Sequence, residues 1–148
     1  MAYAALMAVE SLVLDPLAAV PGQSLAQIHA HLTHEGMDVA ADISSVLTFS
    51  AIGVLLALAV AFFGLLVRAP VAGLVIAFLS LLGLGAVAAF RNGFALGMDV
   101  ADAYGTSGGA HTIWPGVLYI TSVAALVAIP VVAIVAARRN RQLRACLA

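Results

Sequence analysis

The residues best able to do chemistry cluster early in the chain, in His29-Ala-His31-Leu-Thr-His34-Glu35, with Asp38 and Asp42 following. On a continuous helix His31, His34, Glu35 and Asp38 fall at i, i+3, i+4 and i+7, one face carrying the imidazole and carboxylate ligands that zinc and copper take. That spacing permits a divalent metal site without specifying one, since no HExxH, CxxC or EF-hand pattern is present. Gly36 also interrupts the register between Glu35 and Asp38. The plainer reading is a solvated helix face that holds no cofactor.

Glu10 is a second candidate. It is the one carboxylate expected inside an apolar span, where an ionisable group is costly enough to be a working residue by default. Arg91 is the one Arg set apart from the other basic residues, and pairing it with Glu10 or Asp15 would lower the cost of burial and tie the first apolar segment to the third. A proton or substrate path through Glu10 is the sharper alternative. Bond-making chemistry finds little support. Ser44, Ser45, Ser50 and Ser80 lie in or beside apolar runs that contain no His to activate them, which argues against a serine-type hydrolase. The same lack of His argues against a bis-His haem, and no phosphate-binding glycine loop is present. The reading therefore leans away from an enzyme.

The elements that must position these residues are membrane helices. Hydrophobic residues make up 64% of the 148 and charged residues 9%, with mean hydropathy +1.15, which places the chain among integral membrane proteins. Spans are expected at about 2–20, 43–67, 69–90 (extending to about 103) and 116–137, each of roughly 20 residues or more and so able to cross a ~30 Å hydrocarbon core. Asp15-Pro16 interrupts the first segment, so the bundle has four spans if that segment inserts and three if it lies in the interface; four is the favoured count. The fold class is all-α, a polytopic helical bundle in a single domain, 1–148. Regions 21–42 and 91–115 form loops on one side. In the first of them Ser24 and Gln27 make a capping box, Leu25, Ile28 and Leu32 recur at helical spacing, and Gly36 suits a C-cap, which predicts a short amphipathic helix on the outer face. Arg68-Ala69-Pro70 is a tight turn, and Gly73, Gly83, Gly85, Gly93 and Gly97 allow close helix approach, read as packing within the chain. Trp114, Tyr119 and Tyr104 belong at the interface, and Pro130 inside the last span invites a kink.

All six basic residues are Arg, and five of them, Arg68, Arg138, Arg139, Arg141 and Arg144, fall at ends of spans on one side. The positive-inside rule makes that side cytoplasmic, with both termini there, a tail 138–148 that meets anionic lipid, and an acidic outer side. Cys146, the single cysteine, is an ordinary thiol of that tail and forms no intrachain disulfide. The absence of Lys and the heavy use of Ala, Val, Leu and Gly suggest, by association, a GC-rich bacterial genome, which with the apolar spans gives a bacterial cytoplasmic membrane as the expected location. The layout resembles many small four-span bacterial proteins in general shape, and no motif singles out a family. The leading function is a non-catalytic accessory, assembly or oligomer-forming subunit, with lipid and a homo-oligomer or larger membrane complex as partners and no nucleic acid. The alternative is a small transporter or channel, for instance for a metal ion, using Glu10 and the outer His and acidic residues. A reporter fused after Ala148 should read cytoplasmic and one inserted at Gly108 external; an external reading at Ala148 would overturn this orientation.

Overall fold

The computed structural model describes residues 1–145 and the side chains of 1–142, so Cys146 and the side chain of Arg144 lie outside the described residues. Among the described residues every element is helical. Three of them, α1 (Ala2–Val9), a π-helical stretch (Glu10–Leu14) and α2 (Asp15–Ala19), run on as one first helix. It is followed by α3 (Leu25–His34), α4 (Val39–Leu66), α5 (Val71–Tyr104) and α6 (Trp114–Ala145). Four helices, Ala2–Ala19 being the first, are long and apolar enough to cross a membrane. The chain is a multi-pass membrane protein built as an all-α bundle.

Helix ends follow from local chemistry. Ser24 Oγ accepts from the Gln27 amide at 3.4 Å while Gln27 Oε1 accepts from the Ser24 amide at 2.8 Å, closing the capping box that starts α3. Gly36 takes φ +89° just past α3, which lets the Met37 amide reach back to the Leu32 carbonyl at 3.0 Å. Asp38 then caps α4, accepting from the Ala41 amide at 3.0 Å. At the other end of the bundle Arg68 adopts φ +50°, and the Ala69 amide closes on the Gly64 carbonyl at 2.9 Å to turn α4 into α5. α6 continues as one helix through Pro130.

Packing is organised on α5, which lies along α6 and along α4, with the first helix laid across all three. Ser122 Oγ donates to the Leu82 carbonyl at 2.8 Å, and the Leu126 side chain occupies the space that a Cβ on Gly83 would need, at 2.5 Å. The Tyr3 ring lies over Gly85, where a Cβ would stand 2.6 Å from it, and its hydroxyl sits 3.0 Å from Ser122 Oγ. The start of the first helix is thus level with Gly85, roughly 21 Å from the Val71 end of α5 at 1.5 Å per residue. This helix is displaced toward the end of the bundle that carries α3 and the acidic residues, called the acidic end below.

There α3 closes the bundle. Ile28 and Leu32 are 0% exposed and pack on Ala19, Val20, Val39, Leu96 and Val100, each worth about 1.5–3 kcal/mol relative to exposure. Elsewhere the helices offer their apolar side chains outward: 28% of the first helix is buried against 6% of the most apolar stretches of α4 and α5, which leaves those two helices to be covered by lipid. Close approach at Gly85 should be sensitive to volume. Gly85→Leu is expected to lower stability in detergent by about 1–3 kcal/mol through overpacking against Tyr3. Gly53→Leu, whose Cβ would meet nothing within 4 Å, should leave the melting temperature unchanged.

Candidate functional site

The site begins with Pro16. Its ring crowds the carbonyl four residues earlier and it has no N–H to donate, so the preceding turn widens. The Asp15 amide accordingly bonds the Glu10 carbonyl, the i→i+5 pattern of a π-helix. In this wide turn Glu10 and Ser11 face the bundle interior, 3% and 6% exposed.

Across from Glu10 the connection between α5 and α6 folds back alongside the bundle. Leu118 packs with Ala89, which sets the start of α6 well below the end of α5 at Tyr104. The stretch 105–113 therefore runs back down along α5, close enough that a Cβ on Gly97 would come 3.9 Å from the Gly108 carbonyl oxygen. Two hydrogen bonds pin it to the first helix. Thr112 Oγ1 donates to Glu10 Oε1 at 2.6 Å, and the His111 amide donates to Asp15 Oδ1 at 2.7 Å. The His111 ring stands beside the same carboxylate, with Nδ1 3.7 Å from Asp15 Oδ1, too long for a hydrogen bond, and Nε2 3.4 Å from Ser107 Oγ.

Between the first helix, α5 and this descending stretch lies a cavity of about 280 Å³. Glu10, Ser11, Asp15 and Tyr119 give it polar groups; Phe90, Phe94 and Leu118 are among its apolar walls, and Gly93 and Gly97 among its small ones. Glu10 Oε2 is buried, and among the described residues nothing donates a hydrogen bond to it. Among the described residues two carboxyl groups and no Arg or Lys line the cavity, so any formal charge on its walls is negative. It can accept a hydrogen-bond donor or a positive charge; among its lining residues there is no nucleophile held by a base.

Several expected arrangements are not formed. Arg91 does not pair with Glu10 or Asp15: its Nη1 donates to Ser45 Oγ at 3.0 Å and its guanidinium lies 4.9 Å over the Phe49 ring, on the α4 side of α5. The reason is the register, which brings Thr112 and the His111 amide to the two carboxylates first. Nor do His31, His34, Glu35 and Asp38 share one helix face, because α3 ends at His34, Glu35 caps it and Asp38 opens α4. His31 instead docks α3, with Nε2 3.3 Å from the Ala103 carbonyl oxygen and its ring 4.6 Å from that of Tyr104. The exposed His34 lies 3.6 Å from Glu35. Among the described residues no three His, Cys, Asp or Glu side chains converge to hold a metal ion. Arg138, Arg139 and Arg141 are exposed at the opposite end of the bundle, as is Arg68.

Thr112, Ser122 and Tyr3 carry structural or site roles that residue types alone did not reveal. The available signals were Asp15-Pro16, which forecasts a distorted helix beside Glu10, and the glycine-rich stretch before Thr112, which forecasts a chain able to pass close to α5. No protein-family model matches this chain, and no curated protein or solved structure matches it. Thr112→Val should cost about 1–3 kcal/mol in thermal unfolding, because it strips Glu10 of its one donor. In a Glu10→Leu background the same change should cost far less, whereas Arg91→Leu and Glu10→Leu should add within about 0.5 kcal/mol.

Proposed function

We propose that this chain is a non-catalytic multi-pass protein of a bacterial cytoplasmic membrane that binds a small molecule in the cavity beside Glu10. The observation that carries this reading is a carboxylate at 3% exposure with one oxygen bonded to Thr112 and the other unpartnered beside a cavity. A buried acceptor without a donor costs on the order of 1–3 kcal/mol, a cost that a ligand donating to Oε2 removes. Residue composition alone puts an accessory role first; the cavity puts binding ahead of it. Toward the middle of the bundle the interior becomes Met7, Ala89 and Leu118, with the Tyr3–Ser122 pair as the next polar contact. That apolar floor favours binding at one end over passage across the membrane.

The orientation follows the arginines. Arg68 and the Arg138–Arg141 cluster share an end, which supports a cytoplasmic location for that end and for both termini, with the Glu10 cavity toward the outside. An accessory or assembly subunit is the second reading, in which a partner helix would replace lipid on the α4 face where Leu55, Leu58, Phe62, Leu65 and Leu66 are at least half exposed. Native mass spectrometry of gently purified protein separates the two. Binding predicts a small non-lipid mass on the wild type that Gly93→Leu, which fills the cavity, removes. A stoichiometric protein partner with no such mass would favour the subunit reading.

A further inference from the structure

The cavity's chemistry narrows its ligand beyond the binding role on which this inference rests. We propose that it takes a small organic cation, an alkyl- or arylammonium whose charged nitrogen meets Glu10 Oε2 and whose apolar body lies against Phe90, Phe94 and Leu118.

Charge gives the first argument. Glu10 and Asp15 both line the cavity and no Arg or Lys does, while the nearest guanidinium in sequence, Arg91, is engaged with Ser45 and Phe49 on the α4 side. An anion would face two carboxyl groups, and the one ionisable base beside them, the His111 ring 3.7 Å from Asp15 Oδ1, is not among the cavity's lining residues, so its desolvation would go unrepaid. The Glu10 carboxylate is the decisive group: the residue lines the cavity, and Oε1 already has Thr112. Oε2, closed off in this structure, has no donor among the described residues, so a small turn of the carboxylate toward the cavity presents it to a ligand. An ammonium N–H placed there completes the carboxylate's hydrogen bonds and neutralises it in one contact, the charge-assisted kind that is strongest away from water.

The walls decide between an organic and an inorganic cation. Ca²⁺ takes six to eight oxygen ligands and Mg²⁺ a near-ideal octahedron, and no three carboxylate or imidazole side chains converge among the described residues. The remaining surface is apolar and aromatic, suited to a hydrocarbon body and to the face of a cation. Phe90 and Phe94 stack at 5.6 Å between centroids and are 59% and 54% exposed, so the wall they form is also the outer wall of the bundle. A ligand with an apolar body can reach the cavity past them from the lipid boundary. Volume sets the size. At about 280 Å³ the cavity falls just below the roughly 300–1,000 Å³ of drug-sized pockets, which restricts it to a small ligand.

The test uses the full chain in an uncharged detergent and three probes of similar size, benzylammonium, benzyl alcohol and benzoate, with affinities read by calorimetry. Benzylammonium should bind saturably, at least tenfold tighter than benzyl alcohol, with benzoate weakest. Glu10→Gln should reduce benzylammonium to the level of benzyl alcohol. Gly93→Leu, whose Cβ meets nothing within 4 Å, should weaken all three by filling the space. Equal affinity for benzyl alcohol and benzylammonium, or benzylammonium binding unchanged in Glu10→Gln, would overturn the cation while leaving the cavity as a binding site. No binding by any probe would overturn both. Should Glu10→Gln fail to fold, the selectivity of the wild type alone decides.

Discussion

The structure depends on one hydrogen bond made under constraint, Thr112 Oγ1 to Glu10 Oε1 at 2.6 Å. Glu10 is buried because Pro16 widens the turn that precedes it, and a buried carboxylate requires donors. The donor is brought by the stretch between α5 and α6, which has to leave the end of α5 and fold back along it to deliver it. That return needs the close approach at Gly97, the Asp15 bond to the His111 amide, and an α6 that starts low, at Trp114. Within this stretch Gly108, Gly109 and Ala110 line the cavity, and the His111 amide and Thr112 hydroxyl are bonded to the first helix.

The displaced first helix follows from the same packing. Tyr3 fits over Gly85 and bonds Ser122, which in turn bonds the Leu82 carbonyl, so three helices are held in one register by two hydroxyls and a missing side chain. Within lipid there is little hydrophobic drive for helices to associate, and close contact with a few polar bonds takes its place. At the acidic end the drive changes. Ile28 and Leu32 of α3 are fully buried on the helix ends, giving the bundle a small core of the soluble type above a lipid-exposed shaft.

What the residues announced and what they hid divide along sequence distance. The spans, the Ser24–Gln27 capping box, the Gly36 stop and the Arg68 turn are local patterns, set by periodicity, side-chain reach and backbone freedom within a few residues. Glu10 was recognisable as costly from its apolar surroundings. Its partner was not, because Thr112 lies 102 positions away and only the register of the folded helices brings it near. The expected Arg91 pairing failed for that reason: charge complementarity says which groups would gain by meeting, while packing on α5 sends Arg91 toward Ser45 and Glu10 toward the other side. The helical spacing of His31, His34, Glu35 and Asp38 was true of the letters, but Gly36 ended the helix that the spacing required.

Central to this account is a carboxylate left half-partnered so that something outside the chain can complete it. The most direct measurement is a high-resolution map of the protein taken from its host membrane into lipid nanodiscs with no ligand added. Such a map should show non-protein density in the cavity within hydrogen-bond distance of Glu10 Oε2, and Thr112 still on Oε1. A cavity closed by protein side chains, with both Glu10 oxygens satisfied from within the chain, would contradict it.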